Sequence, residues 1–161
     1  MSRFDNEVRV TPSLLDRLLD YEPEVTREAV ASRGKNLRLL KQAVARDLEW
    51  LLNSRRTPWI PDELVEVRRS VFAFGLPDFT SLSLRSYKDR EMLIADVTEA
   101  LSVFEPRLAN VRVELEEGES TAVSSLRFRI EAQLRVEPAP EPVSFDTRIQ
   151  PGLRGFEVRT D

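Results

Sequence analysis

The residues best placed to do chemistry are Glu105 and Arg107, held on either side of Pro106. A carboxylate and a guanidinium flanking a ring-locked corner admit three readings: a catalytic pair, a rigid docking device, or a helix stop with ordinary surface charges. Glycoside hydrolysis would require a second carboxylate across the scissile bond. Glu63, Asp78 and Asp96 are the candidates, and nothing in their spacing ties one of them to Glu105. The chain has no histidine and no cysteine. That excludes imidazole-assisted nucleophiles, imidazole metal ligands and zinc–thiolate sites. Its five glycines build no phosphate-cradling loop. No catalytic residue, metal or cofactor is expected.

The corner must be positioned by what flanks it. Upstream, Leu93, Val97, Leu101 and Phe104 recur at helical spacing from a start near Ser86, with Asp89 three residues on as a partial capping box. Pro106 ends this helix, because a residue preceding proline is driven out of the α region. Downstream, Val111, Val113 and Leu115 alternate with Arg112, Glu114 and Glu116 as in a strand with one apolar face. Residues 126–136 alternate most cleanly, and residues 137–142 read as a proline-stiffened connector. Val143, Phe145, Thr147 and Ile149 mark a third strand, and Gly155–Arg159 a short fourth one. Before the corner, residues 35–55 form an amphipathic helix with Leu37, Leu40, Val44, Leu48, Leu51 and Leu52 as its main stripe. Arg46, Glu49 and Asn53 lie opposite. Leu39, Ala43 and Trp50 make a flanking stripe, shared with a neighbouring element or, for Trp50, turned to another chain. Pro61 opens a short further helix, and the apolar run around Phe74 is expected to lie against the core, closed by Gly75 and Pro77.

Helices first and a meander last predict an α+β fold, with N-terminal helices packed on a C-terminal, mainly antiparallel sheet of three or four strands. Two parts are expected: residues 1–34 as an arm carrying a short amphipathic helix (Leu14, Leu15, Leu18, Leu19), and residues 35–161 as one domain. The 161 residues are 41% hydrophobic and 32% charged, with a net charge of −4. This suits a soluble domain with its own core and argues against a dedicated nucleic-acid binder. No signal-peptide pattern and no spanning apolar run are visible, so a cytoplasmic location without membrane insertion is expected.

Glu105-Pro106-Arg107 between a helix and an alternating strand resembles the motif of the phage baseplate wedge family, formerly labelled lysozyme-like, and in particular its type VI secretion branch, TssE. Residues 12–18, 44–55 and 69–78 support the resemblance in the same order, with Phe74 where that family would carry a tyrosine. The resemblance implies a non-enzymatic cytoplasmic assembly protein. Glu105, Pro106 and Arg107 would engage the wedge subunits TssF and TssG, with TssK as a further baseplate partner. Trp50, Leu14, Leu18 and Phe74 are additional candidate contacts. The sheet would template the first ring of the TssB–TssC sheath by strand pairing, a role expected of Val143, Phe145, Thr147 and Ile149. A second resemblance, to the anti-adaptor IraD, implies instead a regulatory module that binds a response regulator.

Overall fold

The computed structural model describes residues 33–57, 59–79, 82–83, 86–116, 126–150 and 155–160, together with Ser13 and Leu18. Helix α1 spans Arg33–Asn53, α2 is the single turn Val65–Arg68, a 3-10 turn covers Val71–Ala73, and α3 spans Tyr87–Phe104. Four strands follow: β1 (Leu108–Glu116), β2 (Leu126–Leu134), β3 (Glu141–Gln150) and β4 (Gly155–Thr160). They form one antiparallel sheet in the order β1-β2-β3-β4. The α+β expectation is therefore met, with helices before the sheet. Of the expected arm, residues 1–34, only Ser13, the exposed Leu18 and the two residues Arg33 and Gly34, which open α1, are described; Leu14 lies outside the described residues.

The periodicities translate directly into burial. Leu40, Val44, Leu48, Leu51 and Leu52 of α1 join Leu93, Val97 and Leu101 of α3 over Phe128, Ile130, Leu134, Phe145 and Ile149 of the sheet. On the other face the register sets charges of opposite sign against each other: Arg112 faces Glu131, Glu114 faces Arg129, and Glu116 faces Arg127. Strand β3 starts at Glu141, two residues earlier than its apolar pattern suggests, and contains Pro142 opposite Gln133. Strand β4 ends opposite Phe145, so no β4 residue lies beside Pro142, a place where a residue without an N–H is tolerated.

The N-terminus of α3 is capped as half of the expected box. The Ser86 hydroxyl accepts from the Asp89 N–H (3.3 Å), while the Asp89 carboxylate reaches past Ser86 to the Ser83 N–H (2.9 Å). The run before it folds against α1. The Leu76 N–H donates to the Ser54 carbonyl and the Arg56 N–H to the Leu76 carbonyl, both at 2.9 Å. Gly75 is needed there, because its φ is +107° and a Cβ would sit 2.4 Å from the Ser54 oxygen. The expectation that this whole run lies against the core is corrected in part. Ala73 and Leu76 are buried, but Val71 and Phe72 face solvent, since the 3-10 turn points successive side chains in different directions.

Candidate functional site: the Glu-Pro-Arg corner and the sheet edges

At the end of α3, Glu105 leaves the helix with φ −116° and ψ 79°, as its position before proline requires. Its N–H still donates to the Leu101 carbonyl (3.0 Å), and its carbonyl accepts from the Leu108 N–H (3.1 Å), closing a tight turn into β1. The side chain folds inward and is only 4% exposed. A buried carboxylate at a helix C-terminus is unfavourable unless something donates to it. Arg107 does so: its backbone N–H and its Nε bond Oε1 at 3.2 and 2.7 Å, and its Nη2 bonds Oε2. The guanidinium thus grips the carboxylate with both prongs.

The same Nη2 also bonds Asp47 of α1 at 2.7 Å, and the Arg135 N–H donates to the Arg107 carbonyl at 2.8 Å. Helix α1, the end of α3 and the segment after β2 therefore converge on one arginine. Donation to the Glu105 carboxylate drives the guanidinium above its ordinary pKa, against the opposing effect of burial, and Asp47 reinforces the rise. Arg107 is fixed as a cation at every accessible pH. Its side chain keeps 26% exposure, while Pro106 is exposed. What the corner shows to solvent is Pro106 and part of the Arg107 side chain, not the carboxylate.

The three carboxylates weighed as partners of Glu105 are engaged or placed elsewhere. Asp78 is bonded to Arg55 (2.9 Å) and Asp96 to Arg56 (3.3 Å), while Glu63 is exposed in the turn before α2. Among the described residues, the carboxylate that shares a partner with Glu105 is Asp47, and its 60-residue separation from Arg107 leaves no local signature by which to single it out. Of the other candidates, Trp50 is 69% exposed and Leu39 is exposed too, while Ala43 between them on the same flank of α1 is buried. Phe74 packs edge-on against Phe104, with centroids 5.4 Å apart, and is partly buried.

The strand-pairing role expected of β3 is corrected. Val143, Phe145, Thr147 and Ile149 are all buried, and β3 lies between β2 and β4. β4 folds back onto it and takes the outer position. The β4 edge is itself covered by α1. The Asn53 side chain accepts from the Phe156 N–H (2.8 Å) and donates to the Phe156 carbonyl (3.0 Å), and Glu49 accepts from the Val158 N–H (3.1 Å). Asn53 thereby stands in for a neighbouring strand, and two residues assigned to the solvent face of α1 close a sheet edge instead.

Residues 38–139, from α1 to the connector after β2, match the family of baseplate wedge protein gp25. The chain belongs to that family. No match was found among curated proteins or solved structures. The matched stretch contains the whole corner, including Asp47, Glu105, Arg107 and Arg135, so its geometry lies inside the wedge domain. A baseplate wedge component of a contractile injection system is thus the class of protein at hand, and interaction with other baseplate subunits follows from it. Among the described residues no helix is long and apolar enough to cross a membrane.

Proposed function

We propose that this chain is the TssE-type wedge subunit of a type VI secretion baseplate, acting in the cytoplasm as a structural part and not as an enzyme. The observation that carries this reading is the corner inside the wedge-family match: a guanidinium gripped by Glu105 and Asp47 and presented beside Pro106. Preorganisation of this kind lowers the cost of ordering side chains on binding. The docking surface for TssF and TssG, with TssK nearby, is Pro106 and Arg107, while buried Glu105 acts through the orientation it imposes on Arg107. Exposed Trp50 supplies a second contact of the kind enriched at interfaces. The sheath proteins TssB–TssC pair with the sheet at β1, since β3 is interior and β4 is covered by α1.

Co-expression with TssF and TssG tests the docking role. Arg107→Lys keeps a cation but loses the two-pronged fork, and Pro106→Ala alters only exposed surface and corner stiffness. Both variants are expected to fold and to lose most co-purifying TssF and TssG. Unchanged recovery with either folded variant would refute the docking role.

A further inference from the structure

The hydrogen-bonding phase of the sheet can be followed from one edge to the other. In an antiparallel ladder each residue sends its N–H and C=O to the same side, and successive residues alternate sides. Phe156 bonds Asn53 and Val158 bonds Glu49, so both face away from β3. Glu157 and Arg159 therefore bond β3, opposite Arg148 and Asp146. Alternation along β3 turns Phe145 and Thr147 toward β2, opposite Ile130 and Phe128. Alternation along β2 then turns Arg129 and Glu131 toward β1, opposite Glu114 and Arg112. What is left is the backbone of Val111, Val113 and Leu115, directed outward. Among the described residues no hydrogen bond reaches those groups.

The two edges of this sheet are thus treated differently. β4 is closed by α1, whereas β1 carries a bulge only at its start, between Ala109 and Arg112, where Asn110 has φ 53°. From there to Glu116 it is regular. Its inward positions are apolar and only partly buried, and none carries the inward-pointing charge that commonly protects an edge.

We propose that this edge pairs antiparallel with the β1 edge of a second copy of the chain, about a dyad through Val113. In that register Arg112 lies opposite Glu114 of the second copy, and Glu114 opposite its Arg112. On the inner face Val113 meets Val113, and Val111 meets Leu115. The adjacent face-preserving registers set Arg112 opposite Arg112, or Glu114 opposite Glu114, and like charges directly opposite are disfavoured. Within the single chain these two side chains reach each other only at 3.8 Å and stay largely exposed. Each therefore gains a cross-strand partner that its own sheet does not supply on that side. The dyad makes the contact isologous and joins the two sheets into one. The wedge reading does not depend on it, although the pair must part before β1 receives a strand from the sheath.

Sedimentation of the full chain at low salt, over a wide concentration range, tests this. A concentration-dependent monomer–dimer equilibrium is expected. Arg112→Glu and Glu114→Arg should each weaken it about tenfold or more, because each creates two like-charge pairs across the dyad. The double variant Arg112→Glu/Glu114→Arg restores the pairing. Val113→Pro removes a central outward N–H without touching bonds to β2, and abolishes the dimer while circular dichroism stays unchanged. A chain that stays monomeric at the highest concentration overturns the proposal. So does a dimer indifferent to Val113→Pro, one not rescued by the double swap, or an edge that takes an unrelated extended peptide but not a second copy. None of these results would alter recovery of TssF and TssG through Arg107, so the two readings fail separately.

Discussion

Deleting the two halves of the Glu105–Arg107 grip should have unequal consequences. Arg107→Ala leaves a carboxylate whose side chain is 5% exposed, at the negative end of α3, without a cation. Breaking a buried pair in this way costs about 3–5 kcal/mol. Glu105→Ala leaves Arg107 with Asp47 at 2.7 Å and with 26% of its side chain in solvent. The loss is then the charged hydrogen bonds alone, about 1–3 kcal/mol. A domain of this size is expected to have roughly 5–15 kcal/mol in hand, so both variants fold. The difference appears in urea unfolding as a lower midpoint with unchanged slope. In thermal unfolding it appears as a drop of roughly 10 °C for Arg107→Ala and about half that for Glu105→Ala. If Glu105→Ala proves the more damaging, or Arg107→Ala costs below about 1 kcal/mol, the corner is not held by a buried carboxylate seeking a cation.

Four further outcomes follow from the geometry. Gly75→Ala places a Cβ 2.4 Å from the Ser54 carbonyl oxygen at φ +107°, and should cost roughly 3 kcal/mol or more in chemical denaturation. Asn53→Ala removes both bonds to the Phe156 backbone, costing about 1–3 kcal/mol and raising the hydrogen-exchange rate of the Phe156 amide selectively. Thr147 is 1% exposed and its hydroxyl finds no partner among the described residues, so Thr147→Val should raise stability by about 1 kcal/mol, read as a higher urea midpoint. Burial raises the Asp96 carboxyl above its ordinary value, with Arg56 opposing and Glu99 adding to the rise. An acid whose folded pKa exceeds its unfolded pKa contributes most below the unfolded value and loses that contribution as pH rises through the folded one. Asp96→Asn should therefore unfold at higher temperature than the parent at neutral pH, with the gap closing on acidification.

Much of the fold was legible because its signals are local. The stripes of α1 and α3, the Ser86 cap, the stop at Pro106 and the alternation of β2 each arise within a few residues. Each gives the element found: α1 as Arg33–Asn53, α3 as Tyr87–Phe104, β2 as Leu126–Leu134. The corner was likewise visible as a tripeptide. Its inside was not, because whether Glu105 points to solvent or to Arg107 depends on what α1 places beside it, and Asp47 enters from 60 residues away. The exposure of Val71 and Phe72 escaped for the opposite reason: an apolar run looks buried until a 3-10 turn divides its side chains between core and solvent.

The edges mark the boundary between the two kinds of information most clearly. Alternation in Val143–Ile149 determines that β3 has an apolar face, and it is blind to which strand lies outside it. Strand order is a property of chain return: β4 closes on β3, and α1 then lays Asn53 and Glu49 along β4. Both residues read as solvent-facing by helical period, since periodicity records where apolar side chains go and not what a polar one reaches. The sequence by itself determined the elements, the apolar faces and a guanidinium at a proline corner. Only tertiary packing decided that its neighbouring carboxylate is buried, that Arg107 is shared with α1, and that β1 and β4 are the outer strands among the described residues. Hydrogen bonds between segments distant in the chain carry no trace in local composition, and the sharing of Arg107 with α1 and the closing of the β4 edge rest on such bonds.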